Sequence, residues 1–300
     1  MTSLFCRHNR LTAKCPICSK ELEAELRAKA PPRPAGIRRA PAPRARRATA
    51  AQRSGGVVTR KLARAADDGY RNRLVPGLRA TADAERLAGA LMIGAERLEP
   101  PGPYEEVATE PDLEQASWLA FLLALAGPDD PDRQADVVAA AGAFADGAVP
   151  GPLEEEARTI AAYRQWAARH GTQAAGFNGE PDWSPERRFA RVFERLALPG
   201  LGRAPRFELL VALGAAGRYA MVPGQLHLGD DGDPVTQSAK RILQSGDRML
   251  LERRARDLAA ACEVPLAALD RALALWGDPA AEIDQAEELP PAMRSALALR

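Results

Sequence analysis

The sequence predicts an all-α protein, and three features of its 300 residues support this prediction. Only 5% of the residues are aromatic while alanine is abundant, a composition that favours helices over β-sheets. Helix start signals recur, and Ser184-Pro185-Glu186 is the clearest, because serine caps helices and proline fits the first helical position. Ile160, Tyr163, Trp166 and Ala167 recur at spacings of three and four, which is typical of a buried helical stripe.

Residues 1–30 predict a small zinc knuckle. Cys15 and Cys18 form a Cys-x2-Cys pair, which is the common half of a structural zinc site, and Cys6 and His8 supply two further ligands. Four protein ligands leave no open position for water, so the zinc ion is predicted to be structural, and its binding would fold the segment. A redox Cys-x-x-Cys pair is the alternative, although such pairs belong to strand–helix units that this sequence does not predict.

Residues 31–64 predict a disordered basic linker rich in Pro, Ala and Arg. The segment has almost no apolar anchors, so it cannot bury enough surface to offset its ordering entropy. Residues 1–64 carry 16 Lys and Arg against 3 Glu, whereas residues 65–300 carry 25 against 37 Asp and Glu. A basic arm on an acidic body indicates a polyanionic partner such as DNA, and the alternative is a solubilising tail.

Over residues 65–300 the sequence predicts one helical domain, in which helices alternate with turns and loops. The stretch Trp118–Leu123 is the most apolar and is predicted to be core, and the lone Cys262 is predicted to be a buried apolar residue. The first four long helices are predicted over Thr81–Leu98, from Pro111, over Pro131–Asp146 and over Pro152–His170.

The sequence predicts no association with a membrane. It contains no run of about 18 apolar residues, which is the length that a membrane-spanning helix needs. The start, Met1 to Phe5, becomes polar too quickly for a signal peptide. A cytoplasmic protein is therefore expected, with an oligomeric state that the sequence leaves open.

Residues 184–214 predict two helices joined by the tight turn Pro199-Gly200-Leu201-Gly202. Such a turn directs backbone N–H groups at one external point, where a phosphate can bind at the N-terminus of the second helix. Arg203 and Arg206 lie in the first turn of that helix and are predicted to assist. A helix–turn–helix corner without a ligand is the alternative interpretation.

An aspartate-rich loop over residues 229–236 opens the next helix, which carries Lys240 and Arg241. Asp230, Asp231 and Asp233 are the candidate catalytic carboxylates of this loop. Asp233 stands immediately before Pro-Val-Thr, so a role as the helix N-cap would by itself account for it.

The sequence Leu198-Pro199-Gly200-Leu201-Gly202 followed by the aspartate loop resembles the helix-hairpin-helix DNA glycosylases. Within that superfamily, it is similar to the alpha-glutamyl/putrescinyl thymine pyrophosphorylase group of phages and bacteria. The resemblance implies a glycosylase-like helical body, base flipping and an essential aspartate among Asp230, Asp231 and Asp233, with Asp233 favoured because it lies closest to the helix start. It implies DNA contacts through Gly200, Leu201, Gly202, Arg203, Arg206, Lys240 and Arg241.

One departure from the glycosylase pattern bears on the chemistry. Bifunctional glycosylases carry a Schiff-base lysine two residues after the second hairpin glycine, and this position is Ala204. The resemblance therefore implies no lyase step of that kind. It leaves open whether the enzyme cleaves an N-glycosidic bond or processes a diphosphorylated side group of a modified thymine.

Two further interpretations of the sequence remain. The first is a non-catalytic zinc-containing DNA-binding or adaptor protein, which would tolerate neutralisation of all three loop aspartates. The second is a purely structural helical domain with a metal-tied tail, which would not bind DNA even at low salt.

Overall fold

The computed structural model describes residues 65–99, 105–229, 232–283 and 288–299. The predicted zinc knuckle, with Cys6, His8, Cys15 and Cys18, and the predicted basic linker lie outside these ranges, and so do Asp230 and Asp231. Every regular element in the described ranges is helical, so the all-α prediction is confirmed for this part of the chain.

The described residues form twelve α-helices. These are α1 (Thr81–Glu96), α2 (Glu105–Thr109), α3 (Leu113–Ala126), α4 (Pro131–Ala140), α5 (Ala157–His170), α6 (Gln173–Asn178), α7 (Pro185–Arg195), α8 (Arg203–Ala215), α9 (Pro234–Leu243), α10 (Arg248–Ala261), α11 (Leu266–Gly277) and α12 (Pro291–Ala296). Two 3-10 helices, Phe144–Asp146 and Gly151–Glu156, lie between α4 and α5.

Aspartate or serine caps fix where several helices start. A side-chain oxygen of each cap accepts a hydrogen bond from a backbone N–H of the first turn, which contributes about 1 kcal/mol of stability per helix. The caps of this kind are Asp112 of α3, Asp130 of α4, Ser184 of α7, Asp233 of α9 and Asp247 of α10.

Two predicted helices are shorter than expected. Helix α4 ends at Ala140 because Ala141 adopts extended backbone (ψ 109°), and the carbonyl of Gly142 instead accepts a hydrogen bond from the Trp118 indole. Residues 151–156 form a 3-10 helix with a kink at Leu153, so α5 begins only at Ala157.

Helix α3 lies at the centre of the core. Trp118, Phe121 and Leu122 are completely or almost completely buried, which confirms the predicted core stretch. The ring of Phe121 stacks on that of Tyr163 from α5, with 3.8 Å between ring centroids. Helix α3 also packs against α8, so the core directly supports the second helix of the predicted hairpin.

The C-terminal helices form a second packed group. Helix α11 packs along α1 and against α9, and α10 packs against α9, α11 and α12. Cys262 ends α10 and is buried, as predicted. In the described ranges no helix combines the length and apolar character that crossing a membrane requires.

Candidate functional site

The turn between α7 and α8 packs against the body through Leu201, and its glycines are exposed to solvent. The Leu201 side chain is 3% exposed, and its N–H donates to the Leu198 carbonyl at 3.1 Å. Gly200 has φ +81°, and a Cβ at this position would lie 2.1 Å from Oγ1 of Thr159 in α5. Only glycine fits here, because both the backbone conformation and the neighbouring threonine exclude a side chain.

Three backbone N–H groups at this turn are available to an external ligand. Gly200, Gly202 and Ala204 are exposed, and their N–H groups donate no hydrogen bond within the described part of the chain. Arg206 lies beside them, because its Nε donates to the Gly202 carbonyl at 3.1 Å. Its guanidinium lies 4.4 Å from the centre of the Phe193 ring. Leu201, by contrast, has a buried side chain and an N–H that already donates to the Leu198 carbonyl.

Arg203 points into the body instead of towards solvent. Its Nε and Nη2 donate to the Leu226 carbonyl at 2.9 and 2.6 Å, and Nη2 also pairs with Asp270. Its Nη1 lies 3.6 Å from Oδ1 of Asp233. The side chain is only 3% exposed, and its positive charge lies against two buried carboxylates.

Asp233 is buried at the N-terminus of α9. Its Oδ2 accepts hydrogen bonds from the backbone N–H and from the hydroxyl of Thr236, both at 2.8 Å. The residue is 7% exposed, and it forms part of the wall of a cavity. The N-cap role anticipated from the sequence is therefore confirmed, and it coexists with access to this cavity.

The cavity has a volume of about 300 Å³ and lies between α3, α8, α9 and α11. Its apolar walls include Phe207 and Val211 of α8 and Pro234 of α9. Ala204 and Pro205, directly after the exposed turn, also line it. The cavity thus connects the start of α8 with the carboxylate-bearing start of α9.

Several charged residues of this cavity were not anticipated from the sequence. Asp270 in α11 lines the wall beside Asp233, and burial raises the pKa of its carboxyl to about 6 although the positive charge of Arg203 opposes this. Two ion pairs, Arg97–Glu208 and Arg271–Asp129, complete the charged lining. In the sequence these residues resemble ordinary solvent-exposed charges, so no local signal distinguishes them.

The raised pKa of Asp270 predicts a pH-dependent stability. The folded state holds the proton more tightly than the unfolded state, whose carboxyl has a pKa near 3.8, so stability is lost as pH rises from about 4 to about 6. Asp270→Asn removes this contribution. The free energy of unfolding of the wild type minus that of the variant should therefore fall across this window in urea titrations, and a rise would contradict the assignment.

The loop that precedes the aspartates is fixed by hydrogen bonds to α10 and by a ring contact with α7. The Glu252 carboxylate of α10 accepts hydrogen bonds from the N–H groups of Leu226 and Leu228, at 2.8 and 2.6 Å. Between them His227 adopts φ +56° and stacks on Phe193 with 4.0 Å between ring centroids. Burial and three nearby arginines, Arg203 included, lower the pKa of His227 to about 4, so its ring is neutral at physiological pH.

Lys240 and Arg241 lie at the other end of α9, roughly 10 Å along the helix axis from Asp233. A Cβ built on Gly77 would lie 1.7 Å from the carbonyl oxygen of Arg241, so residues 75–78 pack tightly there. The predicted DNA-contact residues therefore fall into two groups, one at the turn and one at this distant helix end.

The described residues contain no group of three or more His, Cys, Asp or Glu side chains placed to hold a metal ion. The aromatic residues Phe177, Trp183 and Tyr219 are buried in the core or at its edge. Comparison with protein-family models, curated protein sequences and solved structures finds no match to this chain.

Proposed function

We propose that the chain is a DNA-binding enzyme that acts at the N-glycosidic bond or the side group of a modified, thymine-type base. The observation that supports it best is the cavity of about 300 Å³, whose wall contains both the start of α8 and Asp233. The proposal rests on this geometry together with the resemblance to helix-hairpin-helix glycosylases and to the thymine pyrophosphorylase group.

DNA would bind through its backbone at the exposed turn. A phosphate fits the unbonded N–H groups of Gly200, Gly202 and Ala204, where the α8 dipole favours negative charge. The adjacent guanidinium of Arg206 adds a positive charge. These contacts carry no base information, so they position the strand without reading its sequence.

A flipped base would occupy the cavity. Chemistry on a base cannot proceed inside the stack, so the target nucleotide must turn out into a pocket. The walls formed by Phe207, Val211 and Pro234 suit a flat apolar ring, and Asp270 and the Arg271–Asp129 pair offer polar partners to its edge or side group.

The Asp233 carboxylate would perform the chemistry. As the bond between sugar and base loosens, positive charge develops on the sugar, and a nearby carboxylate stabilises it or takes a proton from the attacking water. Arg203, whose Nη1 lies 3.6 Å from Oδ1, would hold this carboxylate in place. Because Ala204 and not lysine lines the cavity, we propose no Schiff-base step at this position.

The N-terminal segment would provide further affinity. We propose a structural zinc ion on Cys6, His8, Cys15 and Cys18, and electrostatic DNA contacts by the basic residues of segment 31–64. Both parts of this proposal rest on the sequence alone.

A binding-only adaptor is the second candidate, and one observation favours it. The Asp233 carboxylate already caps α9 and neighbours Arg203, so structure alone gives it two roles. Mass spectrometry separates the candidates: the full chain is incubated with DNAs that carry ordinary or hypermodified pyrimidines, and released bases and altered nucleosides are quantified. An enzyme gives new products with at least one modified substrate, whereas an adaptor leaves every DNA unchanged while binding it.

A further inference from the structure

We infer that a groove between residues 71–74, α10 and α12 binds the phosphodiester backbone of a nucleic-acid strand. The inference shares a nucleic-acid partner with the proposed function, but a different set of residues carries it, and it requires no chemistry at Asp233. We call this surface the arginine groove.

The arginine groove consists of two adjoining concavities of about 490 and 460 Å³. Both are lined by Arg73, Leu74 and Ala261, so they form one continuous depression along α10. Small apolar side chains, among them Ala260 and Ala292, line it beside the polar ones. An extended chain fits such a surface better than a single small anion does.

The walls of the groove are preorganised by hydrogen bonds over long sequence separations. The Tyr70 hydroxyl donates to the Leu297 carbonyl at 2.6 Å, and Asn72 Nδ2 donates to the Ala296 carbonyl at 2.8 Å. The Gly77 N–H donates to the Ile242 carbonyl at 2.8 Å. The segment that carries Arg73 is therefore fixed on both sides, and a ligand would not have to order it.

The charge of the groove is positive although the body as a whole is acidic. Arg73 and Arg253 are exposed, and neither side chain makes a hydrogen bond or an ion pair within the described ranges. Arg254 donates to the carbonyls of Leu243 and Gln244, which places a further guanidinium at the C-terminal end of α9. Asp257 is the one carboxylate among the lining residues of the two concavities.

The occupant that suits this surface is a nucleic-acid strand. Guanidinium groups pair with phosphates, and the apolar floor of Leu74 and alanines can contact sugars and bases. The basic segment 31–64 precedes the groove in sequence and would bind the same polyanion. A membrane surface fits less well, because the large apolar side chains exposed in the described part, Val149, Val222 and Met249, do not line the groove.

The test uses the full chain with Arg73→Gln and Arg253→Gln combined. Affinity for a fluorescein-labelled single-stranded 20-mer is measured by anisotropy over a series of NaCl concentrations. We expect about tenfold weaker binding, and a slope of log affinity against log salt that is smaller by about 1.4, since each lost phosphate contact on a single strand removes about 0.7.

A charge-matched control distinguishes the loss of direct phosphate contacts from the effect of a lower net charge. Ala135→Glu combined with Ala139→Glu makes the same change in net charge on the exposed side of α4, and it should bind within about twofold of wild type. If the groove variant binds as tightly as this control, the inference is wrong, whatever happens at Asp233. Loss of binding to phosphatidylserine vesicles with unchanged DNA binding would also overturn it.

Discussion

Asp233→Asn is expected to lower the rate of base release or replacement by about 10²–10⁴-fold, while DNA affinity stays within about twofold of wild type. The amide cannot accept a proton or stabilise positive charge on the sugar as a carboxylate does. It can still accept the hydrogen bond from the Thr236 N–H, so α9 keeps its cap. Mass spectrometry of products under single-turnover conditions measures the loss.

Asp247→Asn provides the matched control, because Asp247 caps α10 through the Leu250 N–H in the way that Asp233 caps α9, but it is exposed and does not line the cavity. This variant should keep full turnover. If Asp233→Asn is equally active, with Asp230 and Asp231 intact, Asp233 is a structural cap and not the catalytic carboxylate.

Arg203→Leu is expected to lower the free energy of unfolding by about 3–5 kcal/mol. The substitution leaves the carboxylates of Asp233 and Asp270 buried without their shared positive charge, and it removes two hydrogen bonds to the Leu226 carbonyl. Removing one partner of a buried ion pair costs more free energy of folding than the intact pair contributes, because the remaining charge stays buried away from water. Urea denaturation followed by circular dichroism measures the change.

Arg206→Leu is the control for this prediction, because Arg206 lies one helical turn away and remains partly solvated. It should cost about 1 kcal/mol or less. Adding Asp270→Asn to Arg203→Leu should recover part of the lost stability by removing one unpaired carboxylate. Equal stability of the two single variants would show that the buried Arg203 does not stabilise the body in the way inferred.

The features of the fold that depend on contacts between residues close in sequence could be predicted. The start of α7 follows from Ser184 and Pro185, and the cap of α9 follows from Asp233, because each depends on contacts within one turn. The end of α4 could not be predicted. Residues 141–146 contain no strong helix breaker except Gly142, and the chain leaves the helix there to bond with Trp118 and Gln115 of α3.

The same distinction between local and long-range contacts applies to the candidate site. The tight turn and the loop that ends in Asp233 are local and could be located from the sequence. The direction of Arg203 is set by Leu226, Asp233 and Asp270, which are 23 to 67 positions away, and no spacing rule reveals such a set. A first-turn arginine usually faces solvent, so the sequence favoured a phosphate contact where the structure has a buried ion pair.

Photo-crosslinking of DNA with a diazirine on the modified base would show where on the protein that base binds. Peptides of the full chain that carry the crosslinked base are identified by mass spectrometry after digestion. If the base enters the cavity, adducts form on the cavity-lining segments, namely residues 204–211, 233–235 and 267–274. Adducts confined to the arginine groove or to residues 1–64, with none on the cavity segments, would contradict entry of the base into the cavity.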